Sequence, residues 1–148
     1  MEKGIGDIPE LICETFDYKR HNAGELSPLT LAYIGDTIFD LIIRTRVVER
    51  GNAPVKKLHA SASNIVNATA QAKLVQLIMP KLTEDELKIY KRGKNAKSYT
   101  TAKNASIKDY KSATGFEALL GWLYLEGKMD RVFELVLPGI VEYEENIQ

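Results

Sequence analysis

Two acidic side chains lie within apolar stretches of the sequence, where a carboxylate is expensive to place. Asp36 occurs in LAYIGDTIF and Glu117 in SATGFEALLG. A buried ionised carboxylate is costly unless it is paired or binds a metal. If the helices that carry them cross, the two carboxylates meet although they are 81 positions apart. Two carboxylates in an apolar setting suit a hard cation such as Mg²⁺, which retains several waters.

Other interpretations of the same residues stay open. A salt bridge to a lysine or arginine would also satisfy Asp36. Asp40 lies four residues further along, on the same helical face, either as a second ligand or, as we prefer, as a solvated or paired edge residue. Gly115 and Gly121 lower helix propensity, so they predict close packing of their helix against another.

The charge distribution supplies a third feature. The chain carries 20 basic and 20 acidic residues, yet residues 88–111 hold 8 basic and 1 acidic side chain. Cations interleaved with short hydrogen-bonding side chains suit phosphate and 2′-hydroxyl contacts across the minor groove of A-form RNA. A solvated surface loop is the alternative. The candidate RNA-binding residues are Arg92, Lys94, Asn95, Lys97, Ser98, Thr100, Thr101, Lys103 and Asn104.

Composition excludes several classes of protein. At 148 residues with 45% hydrophobic side chains, the chain is expected to form one domain with a packed core. No apolar run approaches the roughly 18 residues of a membrane span, and no secretory signal is recognisable at the start. The single cysteine, Cys13, excludes an intrachain disulfide and a Cys-rich zinc site, so we expect a cytoplasmic protein. His21 and His59 are interpreted as surface or packing residues.

Apolar periodicity is mostly 3.6 residues, which predicts an all-α fold. Ser27–Pro28 starts the second helix, which is apolar almost all round and is therefore predicted to lie at the centre. Thr83 and Glu86 form a capping box. The predicted helical regions are 8–16, 28–50, 54–78, 83–92, 108–126 and 129–137, with an ordered basic loop at 93–108. The predicted organisation is an N-terminal extension (1–24), a catalytic domain (25–140) and a C-terminal tail (141–148).

Three stretches, in order along the chain, carry a family resemblance. LTLAYIGDTIFDLIIR, KRGKNAKSYTTAKNA and ATGFEALLGWLYLEG together resemble Mini-III, the small bacterial ribonucleases of the ribonuclease III superfamily. The resemblance covers residues 25–137. It implies an all-helical endonuclease domain that forms a homodimer and uses Mg²⁺, with Mn²⁺ as a substitute, to hydrolyse both strands of double-stranded RNA. It further implies a domain without an accessory RNA-binding module, a role in 23S ribosomal RNA maturation, and a ribosomal protein as an additional candidate partner.

The resemblance assigns roles residue by residue. Asp36 matches the catalytic aspartate of the superfamily and Glu117 its catalytic, metal-binding glutamate, so both are expected to bind Mg²⁺. Ala32 and Thr114 stand where ordinary ribonuclease III carries acidic residues, and Mini-III shares both departures. The missing acids leave open an alternative function, a catalytically silent RNA-binding or ribosome-associated scaffold, against which the retained Asp36 and Glu117 argue.

The resemblance also points to a dimer interface. In the superfamily the helix that bears the Gly-Asp motif lies at the dimer contact. The candidates on that helix are Leu31, Tyr33, Ile34 and Ile38. For each of them, burial within one subunit is the alternative.

Overall fold

The computed structural model describes residues 8–97 and 106–146 of the chain. Within these ranges every regular element is helical, which confirms the predicted all-α class. The helices are α1 (Ile8–Phe16), α2 (Pro28–Glu49), α3 (Val55–Ser63), α4 (Ala68–Ile78), α5 (Glu84–Lys94), α6 (Ile107–Leu125) and α7 (Met129–Asn146), with 3₁₀ turns at Ala23–Glu25 and Met79–Lys81. None of the helices in the described ranges is both long and apolar enough to cross a lipid bilayer.

Local capping explains most helix starts. The Ser27 hydroxyl accepts a hydrogen bond from the Leu29 N–H, with Pro28 at the first helical position of α2. The predicted capping box at the start of α5 is present. The predicted helical region 54–78 is divided into α3 and α4 because Asn67 adopts an extended backbone and its side chain caps α4, accepting from the Ala70 N–H at 2.8 Å.

The predicted end of the last helix at Leu137 is wrong. The helix α7 continues through Pro138 to Asn146, although a proline inside a helix costs one backbone hydrogen bond and about 3 kcal/mol. Tertiary contacts offset that cost. Gly139 packs against side chains of α4, and Glu144 accepts a 2.7 Å hydrogen bond from Arg46 of α2. Packing beyond the proline therefore decides where this helix stops.

Helix α6, rather than α2, is the most enclosed element. It contacts α2, α4, α5 and α7, and its Phe116 meets Phe39 of α2 edge to face with ring centroids 5.1 Å apart. Both rings are fully buried. The outer face of α2 leaves Tyr33 and Leu41 exposed, so the prediction that α2 lies at the centre is wrong on that side. The apolar residues of α2 therefore fall into two sets: one face packs into the core, and the opposite face is exposed.

The helices α2 and α6 cross at backbone contact. A methyl group built on Gly35 would overlap the carbonyl oxygen of Glu117, and one built on Gly121 would overlap the carbonyl oxygen of Leu31. The crossing therefore requires glycine on both helices. The close packing predicted from Gly121 is found against α2, and that predicted from Gly115 is found against Tyr90 of α5.

A buried ion pair joins α5 to α7. Glu86 accepts hydrogen bonds from Arg131 at 2.8 and 2.9 Å and from the Thr83 N–H at 2.9 Å. Burial by itself would raise the pKa of Glu86, but the bonds from Arg131 and Thr83 outweigh it and lower the pKa. Every contact of this carboxylate is accounted for by helix capping and helix pairing, so its role is structural.

Substitution at the crossing gives a test of this geometry. Gly35→Ala and Gly121→Ala each improve helix propensity by up to about 1 kcal/mol, yet overlap with backbone should lower the free energy of unfolding by about 3 kcal/mol. Urea denaturation measures the change. Gly24→Ala is the matched control, because its methyl group would lie 3.4 Å from the nearest atom, an ordinary contact. Equal stability of all three variants would contradict the crossing described above.

Candidate active site

The glycine crossing brings Asp36 and Glu117 together. Asp36 follows Gly35 directly, and the carbonyl of Glu117 lies against Gly35. The Asp36 carboxyl is close enough to Glu117 for its hydrogen bond and its charge to raise the pKa of Glu117. The structure thus provides the helix crossing on which the meeting of the two acids depended. Two neighbouring carboxyl groups repel each other when both are ionised, which favours the protonated form of the more buried one, Glu117.

The electrostatics of the pair follow from its surroundings. Burial, then the hydrogen bond and the negative charge of Asp36, raise the pKa of Glu117 to about 8. A hydrogen bond from Gln71 acts in the opposite direction, since it favours the ionised carboxylate. Near neutral pH the Glu117 carboxyl therefore holds a proton in the absence of a cation. A divalent cation can replace that proton and neutralise both charges.

The pair lies in an open cleft of about 260 Å³ between α2 and α6. Asp36 is exposed on one side and Glu117 is half-buried on the other. The lining residues are Leu29, Ala32, Tyr33, Asp36, Tyr110, Thr114 and Glu117. Ala32 and Thr114, where the resemblance expects acids in ordinary ribonuclease III, thus line the same cleft. The Thr114 hydroxyl donates a 3.0 Å hydrogen bond to the Tyr110 carbonyl within α6.

Gln71 belongs to this site, and sequence reasoning missed it. It lies on α4, is 4% exposed and contacts Glu117. The available signal was a polar side chain inside the apolar stripe of Ala70 and Leu74. A single amide in such a stripe is typical of a residue at the edge of the buried face. The sequence also gives no sign of its partner in α6, which is 46 positions away.

Comparison with known proteins establishes the family. A model of the Ribonuclease III domain matches residues 29–128. A Mini-ribonuclease 3 from Clostridium tetani is 41% identical over 133 residues, which are 89% of this chain and 88% of that protein. Another from Symbiobacterium thermophilum is 46% identical over 123 residues, covering 83% and 94% respectively. The chain belongs to the Mini-ribonuclease 3 family.

A solved structure agrees with the fold of this family member. The crystal structure of a protein from Fusobacterium nucleatum aligns with a TM-score of 0.72 and 30% sequence identity, covering 80% of this chain and 94% of that one. Together with the matched domain model, this confirms the predicted ribonuclease III fold. The resemblance drawn from the three sequence motifs is confirmed as well.

Asp40, the other acidic candidate of this family member, has an ordinary structural role. Asp40 pairs with Arg44 at 2.8 Å one helical turn away, which is the paired-edge interpretation. Among residues 8–97 and 106–146, no ion pair includes Asp36. The same ranges contain no cluster of three or more His, Cys, Asp or Glu side chains that could hold a metal. The candidate cation site therefore consists of two carboxylates, supported by an amide.

The basic segment, residues 88–111, is described only in part. Ser98, Thr100, Thr101, Lys103 and Asn104 lie outside the described residues.

In the described part, Arg92 donates hydrogen bonds to the carbonyls of Gly24 at 2.9 Å and Leu26 at 3.2 Å. It thereby holds the chain that leads into α2. Asn95 and Lys97 are exposed, and Lys94 is half-buried.

The start of α6 locates one end of this segment. Ser106 caps the helix by accepting from the Asp109 N–H at 3.1 Å, and Tyr110, in the first turns, lines the cleft. The basic segment thus re-enters the described structure beside the two carboxyl groups.

The two histidines, His21 and His59, and the single cysteine, Cys13, do not line the cleft. His59 borders a separate, mostly apolar cavity formed with Val55 and Leu58, and Cys13 is half-buried in α1.

The raised pKa of Glu117 predicts a pH dependence of stability. The pKa of Glu117 is about 8 in the folded protein, against about 4.5 in the unfolded chain. Between these values the folded state binds a proton that the unfolded chain has released. The stabilising contribution of this proton is complete below pH 4.5 and is lost as the pH rises through 8.

Without metal, the free energy of unfolding of the wild type should therefore fall relative to Glu117→Gln as the pH rises from about 5 to 8. Urea denaturation in EDTA measures this difference. In Asp36→Asn the pKa of Glu117 should drop, so the free energy of unfolding should fall less between pH 5 and 8. Parallel pH curves for the wild type and Glu117→Gln would exclude the raised pKa.

Proposed function

We propose that this protein is an endoribonuclease that hydrolyses both strands of double-stranded RNA, with Asp36 and Glu117 as its catalytic residues and Mg²⁺ as its cofactor. The observation that carries the proposal is the pair of carboxyl groups, contributed by two crossing helices of a Ribonuclease III domain, that meet in an open cleft. Mn²⁺, which also prefers oxygen ligands, is expected to substitute.

The donor set fits a magnesium ion. Mg²⁺ is commonly held by one or two carboxylates, with waters and substrate phosphates completing its shell. Asp36 and Glu117 would hold it, whereas Ala32 and Thr114 offer no carboxylate to the same cleft. When bound, the ion supplies positive charge that stabilises the phosphate and leaving oxygen and makes a water more acidic.

Glu117 and Asp36 have different roles in the cleft. The half-buried Glu117 is anchored between α2 and α4, so its carboxylate has a defined position. The exposed Asp36 faces the solvent side from which a phosphodiester must approach. The openness of the cleft admits a polymer backbone. An enclosed pocket would admit only a small molecule.

The basic segment is proposed to bind the RNA backbone. The described residues Asn95 and Lys97 are exposed, and the segment ends where α6 meets the cleft. From the sequence the proposal also includes five residues that lie outside the described ranges: Ser98, Thr100, Thr101, Lys103 and Asn104. Arg92 contributes indirectly by ordering the residues before α2. Contacts of this kind bind phosphates without reading the sequence.

A homodimer is proposed to form through the outer face of α2. Leu31 and Ile38, candidates from the sequence, are 1% and 5% exposed, so they serve the core of one subunit. Tyr33, at 82% exposed, stays a candidate, and the same face adds Leu41 and Val48 at 58% and 59%. A twofold arrangement through this apolar stripe gives one cleft for each RNA strand.

The finer biological assignment rests on the resemblance to Mini-III. We propose a 23S ribosomal RNA precursor as the substrate, processed in the cytoplasm, with a ribosomal protein as an accessory partner. The catalytically silent scaffold is the second candidate function, because the Ala32 and Thr114 positions in the cleft lack acids.

Cleavage of a long RNA duplex tests the activity. The wild type should cut both strands with Mg²⁺ and stop in EDTA. Asp36→Asn and Glu117→Gln should each reduce the rate by roughly a thousandfold or more, while duplex binding persists, because they remove a ligand and leave the basic surface intact. Asp40→Asn is the matched control. Duplex binding by the wild type without cleavage would favour the scaffold instead.

Salt dependence tests the basic segment. The neutralised variant combines Lys94→Gln, Lys97→Gln and Lys103→Gln. The slope of log affinity against log salt is negative, and each lost phosphate contact should make it less steep by about 0.9, which makes a total of about 3. A filter-binding titration at several salt concentrations measures the slope.

The control for this titration neutralises three lysines outside the segment: Lys73→Gln, Lys81→Gln and Lys128→Gln. It should bind like the wild type. An unchanged slope in the segment variant would remove the RNA-binding assignment.

Sedimentation velocity tests the dimer. Val48→Glu should convert the wild-type dimer to a monomer, because a charge placed in an apolar interface is desolvated without a partner. Val141→Glu on α7 is the control, since Val141 is 56% exposed, close to the 59% of Val48. A monomeric wild type, or a dimer that both variants preserve, would contradict the proposed interface.

A further inference from the structure

Gln71 is an unusual residue for the core of this protein. In the described residues three polar or charged side chains are buried: Gln71, Glu86 and Thr114. Glu86 is satisfied by Arg131 and the α5 cap, and Thr114 by a carbonyl of its own helix. Burying an amide costs free energy unless it is hydrogen-bonded. The partner of Gln71 is the Glu117 carboxylate.

The surroundings of Gln71 restrict its side chain. Two further buried residues of α4, Leu74 and Val75, are 2% and 3% exposed and belong to the main core. They fix the rotation of α4 against α6, to which it is packed. Gln71 lies on the same buried face of α4, with 4% of the residue exposed. Gln71 is not among the residues that line the open cleft, and it acts on Glu117 from α4.

The direction of the hydrogen bond follows from the groups involved. An ionised carboxylate only accepts, so the Gln71 amide donates through its Nε2–H. The amide carries no charge, and it therefore adds nothing to the repulsion between the two acids. Its contribution is to fix the orientation of one carboxylate. Groups of this kind, one shell outside the cation, change metal affinity or activity by 10- to 100-fold in other proteins.

We propose that Gln71 is a positioning residue of the reaction centre, whose buried carboxamide holds the Glu117 carboxylate in the orientation that binds the divalent cation. This inference rests on the proposed function. Three helices then build the centre: α2 supplies Asp36, α6 supplies Glu117, and α4 supplies the amide behind it.

Two variants of α4 test the proposal in the full chain. Gln71→Met keeps the length of the side chain and removes the donor. Gln76→Met makes the same change at an exposed position of the same helix. Mg²⁺ is titrated in two assays: the rate of duplex cleavage, and the rise in melting temperature of the protein without RNA. The second assay reports cation binding alone, because a bound ligand stabilises the folded state.

Gln71→Met should need at least about tenfold more Mg²⁺ for half of the maximal effect in both assays, while Gln76→Met matches the wild type. A lower melting temperature without metal, together with an unchanged Mg²⁺ requirement, would show a packing role only and overturn the proposal. If Gln71→Met does not fold, Gln71→Asn, which withdraws the amide by one methylene, should raise the Mg²⁺ requirement in the same direction. An unchanged requirement there would overturn the proposal too.

The two assays separate this inference from the proposed nuclease. A wild type that cleaves RNA, with Gln71→Met equal to it in both titrations, removes only the role of Gln71. A wild type that is stabilised by Mg²⁺ without cutting RNA removes only the nuclease, provided that the stabilisation weakens in Gln71→Met. A wild type that Mg²⁺ does not stabilise removes the Gln71 proposal together with the cation site.

Discussion

The backbone contact between α2 and α6 is the constraint on which the site depends. Helices usually pack with their axes about 8 to 10 Å apart, separated by side chains. Gly35 and Gly121 remove those side chains at the crossing, so that carbonyl oxygens of one helix lie where a methyl group would otherwise be. Aspartate and glutamate have short side chains, so this close approach of the backbones brings the carboxyl groups of Asp36 and Glu117 near each other.

The same contact creates an electrostatic cost. Burial, and then the neighbouring Asp36 carboxyl, raise the pKa of Glu117 to about 8. The folded protein must supply stability to hold the two groups there. The surrounding core does so through residues such as Phe39, Phe116 and Leu119, each with 0% exposure. Two acids kept together by a rigid core are pre-organised for a cation, because a bound cation can replace the proton that otherwise limits their repulsion.

Helix α2 serves two surfaces at once. One face packs on α6 and supplies Leu31 and Phe39 to the interior, while the opposite face leaves Tyr33, Leu41 and Val48 in solvent. Asp36 lies beside the boundary between them, in a cleft that Tyr33 also lines. A partner subunit on the outer face would therefore adjoin the reaction centre, and assembly and catalysis would depend on neighbouring residues of one helix.

Local sequence determined the helical class, the caps at Ser27 and Thr83, and the two acids in apolar stretches. These features depend on residues within about one helical turn of each other, so they can be predicted from the local sequence. Tertiary structure decided which face of α2 is buried and how far α7 extends beyond Pro138. It also directed Arg92 to the backbone before α2, and Gln71 to Glu117. Each of these outcomes joins groups far apart in sequence, and their free energy comes from packing that exists only once the helices have assembled.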